Sequence, residues 1–391
     1  MIQSNLKTMN KKILQRVLLI ICFFSINAFA IEDSRVWKNI GPDGASISTL
    51  AISKSEPNIV YALAEADESS LFKSVDGGVQ WEFVQHDNRD FYFYEGLLVD
   101  PNNPQILFLL AEERDPFKQT ILRSRDGGIN WKEIKLKDGG INASFIALNT
   151  PLSDSLRAVV DLKNGGQSIA LSHDGGESWK VSEIIINPID DINVDIVGID
   201  PKNTKVIYGI PEDGAVLHKS INGGKTWSSI QPIGDFAANE FYSKFHIHPV
   251  NRNILYSRFI TANPDRVGIF DWGIKFVWLS SNDGGENWNL LGELGESLEI
   301  KELTLDGNLS NILFATVLSE EEENAFSHGF GFSTVNSEMV IAKSINSGRN
   351  WELINLGVTV ETHADDENRI VLNSKENQKL LLSSREGVFR S

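Results

Sequence analysis

The 391 residues carry 36 Lys and Arg against 53 Asp and Glu, a net charge of −17. An acidic balance of this size repels phosphate backbones and anionic headgroups, and it excludes nucleic acid as a partner. With Cys22 as the single cysteine, no disulfide framework holds the fold.

Residues 1–30 read as a secretory leader. Lys7, Lys11, Lys12 and Arg16 form a basic segment, Val17 to Ile26 an apolar one, and Ala28-Phe29-Ala30 a cleavage site. The apolar run is too short to span a bilayer. Met9 is an alternative start to Met1, and Ile21 ahead of Cys22 does not suit a lipoprotein signal. Cleavage near Ala30 removes four positive charges and takes the net charge to −21. The expected product is one domain over 31–391, secreted or periplasmic, monomeric and without membrane insertion.

Past the leader, an eight-residue unit recurs. Ser74 to Trp81 (SVDGGVQW), Ser124 to Trp131 (SRDGGINW), Ser172 to Trp179 (SHDGGESW) and Ser281 to Trp288 (SNDGGENW) share its Asp. Ser220 to Trp227 (SINGGKTW) and Ser344 to Trp351 (SINSGRNW) place Asn there. Asp or Asn can accept hydrogen bonds from its own turn, Gly supplies positive φ, and Trp brings a large apolar surface. Ahead of the turns run strand–turn–strand signals such as Leu97 to Phe108, Val197 to Tyr208 and Phe245 to Tyr256. A third strand enters each turn and a fourth leaves through the Trp.

Regular recurrence of a four-stranded unit predicts a repeat architecture. The last unit stops at Ser391, the position of a turn serine, whereas Val36 to Ile40 resembles the segment that leaves a turn. The N-terminal strand is therefore expected to complete the last blade. Seven blades fit best, six or eight being the alternatives.

The repeated unit resembles the Asp-box, or BNR repeat, of sialidases, sortilin-type receptors, xyloglucanase-type glycosidases and photosystem II assembly factors. In those families it is a structural turn of a propeller blade and not the active site. The resemblance implies an all-β, seven-bladed β-propeller of four-stranded antiparallel blades over nearly all of 31–391.

Function is then expected where the repeat breaks. Units five and six carry insertions, Ile260 to Phe276 and Leu318 to Glu338, between their second and third strands. With the link Asp87 to Tyr94 they bring Phe91, Tyr92, Tyr94, Asp271, Trp272, Phe326, His328 and Phe330 to the face opposite the repeated turns. Rings beside carboxylates suit a glycan or a protein, so a protein or carbohydrate ligand is expected there.

Other motifs reduce to architecture. No Arg-x-Pro accompanies the repeat, which leaves a sialidase without its arginine triad. Asp195, Glu95 and Glu302 start inner strands and are the carboxylates a glycoside hydrolase would use. His246 and His248 alternate as metal ligands could, yet His248 holds the place of Asp100, Asp200 and Asp306, a turn cap. Gly223-Gly224-Lys225-Thr226 lacks the first glycine of a phosphate loop, and Glu320 to Glu323 reads as a solvated loop tip. No cofactor or metal is expected. The sequence is read as a non-catalytic binding or assembly propeller, the alternative being a glycoside hydrolase with a carboxylate pair on the insertion face. The ring of Trp131 is expected to be buried.

Overall fold

The chain divides into two units, Met1–Val36 and Trp37–Ser391. The computed structural model describes residues 37–391 apart from 43–44, 66–69, 85–90, 94–95, 101, 114–117, 135–139, 149–155, 163–166, 187, 190–193, 212–215, 231–243, 263–273, 293, 295–297, 307–308, 310, 320–336, 355–360, 363–369, 374–378 and 385. The leader expected over 1–30 lies outside the described residues.

Seven antiparallel sheets follow one another, and no helix occurs among the described residues. Blade one is built from Ser46–Ile52, Val60–Glu65, Ser70–Ser74 and Glu82–Val84, inner strand first. Blades three to five repeat the order, ending at Lys180–Ile186, Ser228–Ser229 and Asn289–Leu290. In blade two the inner strand comes in two pieces, Phe91–Phe93 and Leu98–Val99, both paired to Leu107–Glu113. In blade six the outer edge is split, Glu352–Ile354 and Glu361–Thr362 both pairing with Ser337–Ser344.

Blade seven takes three strands from the C-terminus and its fourth from Lys38–Asn39, with Lys38 opposite Arg390 and Asn39 opposite Phe389. Ile40 N donates to Val388 O at 2.8 Å and Val388 N to Gly41 O at 2.9 Å. Closing the ring this way pairs the C-terminal strand Gly387–Arg390 on both of its edges. The seven-bladed β-propeller expected from the repeat is the observed fold.

Second strands are covered on both sides by neighbouring blades, which explains their unbroken apolar runs. Val60, Tyr61, Ala62, Leu63 and Ala64 are all essentially buried. Among the described residues there are seven apolar clusters, and each lies between two successive blades. Tyr61, Leu71 and Leu107 join blades one and two, Phe314, Ile341 and Leu382 join six and seven, and Leu50, Ala62 and Val388 join seven and one. The core is thus a ring of interfaces, each buried Leu, Ile or Phe contributing about 1.5–3 kcal/mol.

The repeated turn has one hydrogen-bond pattern. Ser74 Oγ donates to Asp76 Oδ1 (2.8 Å) and accepts from Gly78 N (2.8 Å), while Asp76 Oδ1 accepts from Gln80 N (2.9 Å). Asn222 and Asn346 reproduce it, accepting from Thr226 N (3.0 Å) and Asn350 N (2.9 Å). The acceptor oxygen, not the charge, is what the architecture requires. Of the six rings, Trp179 and Trp288 are buried, whereas Trp131 is only partly covered, its Nε1 donating to Gly128 O at 2.7 Å. The expected burial of Trp131 is corrected: its ring leans on the rim of the cluster between blades one and two rather than entering it.

A cation one residue ahead of the turn serine ties several blades to the next. Arg123 Nη1 donates to Gly175 O (3.0 Å), Lys219 Nζ to Gly284 O (2.7 Å) and Arg390 Nη1 to Gly77 O (3.4 Å), the last across the closure. In blade three the pair is exchanged between strands. Leu171 holds the cation's place, and Arg157 opposite it donates to the carbonyls of Asp200 and Pro201.

Candidate functional site

Inner strands begin on the face opposite the repeated turns. Blades five and six meet through charge between their inner strands. Lys244 and His246 come from the start of blade five's inner strand, Phe245–Ile247, and Glu302 from blade six's, Leu298–Leu305. Lys244 Nζ lies 3.0 Å from Glu302 Oε2, and His246 Nε2 lies 3.0 Å from Glu302 Oε1. The Glu302 side chain is only 14 % exposed. Burial alone would raise its pKa, but the facing His246 imidazole, then the Lys244 ammonium, outweigh it and hold the carboxyl at about 2.

An inner-strand irregularity that also occurs in blades one, three and four lies at this cluster. Ile300 pairs with Val317 and Glu302 with Thr316, so Lys301 is an extra residue, a β-bulge that redirects the strand. Blade five holds the bulge from outside. Trp278 Nε1 donates to Ile300 O at 3.0 Å, and Arg258 Nη1 lies 3.5 Å from Lys301 O. The His246 ring stacks on Trp278 with centroids 5.7 Å apart and an interplanar angle of 14°. Beside it, Lys301 Nζ pairs with Glu299 Oε2 at 2.9 Å.

The candidates named from sequence divide in two. Phe91 and Tyr92 stand in the first piece of blade two's inner strand, opposite Glu113 and Glu112. They are not in a link between blades: the strand starts earlier than expected and breaks around Gly96, whose φ is +113°. Tyr94, Asp271, Trp272, Phe326, His328 and Phe330 lie outside the described residues, as does Glu95. The insertions are shorter than expected, because the strands run on to Ala262 and Ser319 and resume at Ile274 and Ser337. Phe276, placed in a loop by sequence, is a strand residue opposite Ile260.

Asp195 is exposed on blade four's inner strand, opposite Ile210. His248 is a turn cap, its Nδ1 accepting from Val250 N (3.2 Å) and Asn251 N (3.1 Å) as Asp200 Oδ1 does from Lys202 N and Asn203 N. Burial pulls its pKa down. Among the described residues no three His, Cys, Asp or Glu side chains are grouped to hold a metal ion. Lys244, Arg258 and Trp278 were missed because strand alternation gives no sign of which blade a side chain faces.

Fold and site together define a seven-bladed β-propeller with a charged inner-strand cluster between two blades. No protein-family profile matches the chain. It is similar to the xyloglucanase Xgh74A of Acetivibrio thermocellus, 23 % identical over 361 aligned residues that cover 81 % of this chain and 39 % of the relative. A xyloglucanase from a Paenibacillus species is 26 % identical over 248 residues, 52 % of this chain and 23 % of that one. The chain thus spans about two fifths or less of the curated relatives it matches. Among solved structures, YCF48 from Cyanidioschyzon merolae superposes with a TM-score of 0.54 at 15 % identity, covering 91 % of this chain and 98 % of that one. An oligogalacturonate lyase from Vibrio parahaemolyticus gives 0.55 at 8 % identity, covering 92 % and 94 %. At such identities the likeness shows the fold alone.

Proposed function

We propose that this chain is an exported propeller of the Asp-box type that works as a non-catalytic binding or assembly module. It takes a protein or glycan ligand on the face where inner strands begin and the insertions of blades five and six emerge. The observation that carries this reading is the state of Glu302. A glycoside hydrolase needs one carboxyl that keeps its proton near neutral pH and a second one facing it. Glu302 is ionised and paired with Lys244 and His246, so it does not suit the proton-donor half of such a pair. The repeated Asp residues are likewise consumed by their own turns. A YCF48 structure bound to D1 peptide has this fold, with a TM-score of 0.51, which is consistent with peptide binding by a propeller of this kind.

The test replaces Trp272 and Phe330 together with alanine and compares capture of partners from the source cell envelope and its glycans. Loss of capture with an unchanged melting temperature supports the reading. Undiminished capture by the double variant removes the insertion face from it. The second reading, a glycoside hydrolase, is favoured by the similarity to xyloglucanases over 81 % of the chain. It requires a proton-donating carboxyl other than Glu302.

A further inference from the structure

The six repeated turns do not vary at random. The two that exchange Asp for Asn, in blades four and six, also carry Ile at the second position and a cation at the sixth: Ile221, Asn222, Lys225 and Ile345, Asn346, Arg349. Architecture does not require this, since both asparagines make the same hydrogen bonds as the aspartates. What changes is the outward surface. Each turn loses a negative charge, gains an exposed cation and presents an aliphatic side chain to water. Ile221 and Ile345 are 70 % and 65 % exposed.

The neighbouring turns extend the same chemistry. Between these two blades, the turn after blade five's inner strand exposes Val250, and the corresponding turn of blade six exposes Leu309, 54 % and 47 %. Lys202 and Lys205 are exposed on the matching turn of blade four. Arg252 is shared with the buried Asp200 at 3.5 Å. The exposed cations Lys202, Lys205, Lys225 and Arg349 thus stand against Asp283 and Glu286, the exposed carboxylates of blade five's turn. In a chain of net charge −17 this is a local reversal of sign. The turns adjoin: Asn311 Nδ2 donates to Ile345 O (2.8 Å), and Lys219 Nζ reaches Gly284 O (2.7 Å).

Exposed aliphatic residues on a turn are ordinary by themselves: Val75 and Val79 on blade one and Ile129 on blade two are examples, without a cation in the same turn on blade one. Aliphatic tips that recur with added cations and deleted carboxylates are a different case. A peptide partner would need a groove or a free strand edge. Here the side chains project singly from turns whose serine and Asn acceptors already take the turn amides. Separate aliphatic tips ringed by Lys and Arg match a flat anionic surface that lets short side chains sink between headgroups. We infer that the turn face of blades four to six docks peripherally on an anionic lipid bilayer. The negative charge elsewhere does not prevent this, because charges more than about 8 Å from the contact are screened at physiological salt.

The test is co-sedimentation of the purified chain with vesicles of phosphatidylcholine containing about one-third phosphatidylglycerol, against phosphatidylcholine alone. The chain is expected to sediment with the anionic vesicles and to be released by high salt. Lys225→Glu with Arg349→Glu, and separately Ile221→Ser with Ile345→Ser, should each lower the bound fraction at least about tenfold. Val75→Ser with Val79→Ser on blade one should leave it unchanged. These side chains are exposed, so melting temperatures report whether any variant fails to fold. No sedimentation with anionic vesicles, equal sedimentation with neutral ones, or indifference to both pairs would overturn the inference. So would capture of a polyglutamate peptide, in place of vesicles, that the same substitutions abolish, since the face would then serve a polypeptide.

Discussion

Gly292→Ala should be among the most damaging single-methyl changes in this protein. Gly292 ends the outer edge of blade five, and its N–H donates to Gly348 O in blade six's turn at 2.7 Å. A Cβ there would lie 2.1 Å from Arg349 O, 2.7 Å from Arg349 C and 3.1 Å from Gly348 O. All three are backbone atoms, so no rotamer change relieves the clash and the two blades must separate locally. Overpacking of about 1–3 kcal/mol and loss of one hydrogen bond worth about 0.5–1.5 kcal/mol give a destabilisation of about 1.5–4.5 kcal/mol. Gly175→Ala is the internal comparison. Gly175 has φ +66°, and nothing lies within 4 Å of a Cβ built there, so alanine meets conformational strain alone, about 1–2 kcal/mol. Urea unfolding of both variants separates the two effects. Equal losses would refute the claim that close approach between blades, rather than backbone conformation, fixes glycine at 292.

Other changes probe the blade interfaces, the charged cluster and the turns. Trp37→Ala removes a ring that is 1 % exposed in the cluster between blades six and seven and should destabilise by about 3–5 kcal/mol in urea unfolding. Trp288→Ala should cost about as much, and the half-covered Trp131 roughly half of that, so equal losses would contradict the burial assigned to the two rings. Glu302→Gln removes the carboxylate facing Lys244 and His246 and should cost about 2–4 kcal/mol, recovered in part by the additional change Lys244→Met; no recovery would mean that the pair is not coupled. Asp283 is held at about 2, first by its hydrogen bond from Asn287 N, and Asp76, Asp126 and Asp174 are also held below the usual range. Their folded-state pKa values are depressed, so the stability they contribute is present above pH ~4 and is lost as pH falls towards 2. Thermal melts of Asp283→Asn should show a shallower acid slope than the parent protein.

Much of the fold was legible because a propeller writes its plan into the chain several times over. Six in-frame turns gave the blade period, and a truncated copy at Ser391 beside Trp37 gave the closure. The same repetition separated His248 from metal chemistry, since its place is filled elsewhere by turn-capping Asp. Side-chain partners between blades were not legible. Glu302 could be placed near the start of an inner strand, but nothing in its own strand shows that Lys244 and His246 of the neighbouring blade meet it. The same limit hid the break around Gly96, which moved Phe91 and Tyr92 into a strand. Box rings look alike in sequence, yet Trp288 is buried and Trp131 is not, because burial depends on the neighbouring blade.

The central functional claim is that this propeller binds without cleaving. It is tested most directly by incubating the purified chain with xyloglucan and following soluble products by mass spectrometry. Intact polysaccharide is expected with the wild-type chain over prolonged incubation. Release of xyloglucan oligosaccharides, abolished by changing a single carboxylate on the insertion face, would contradict the claim.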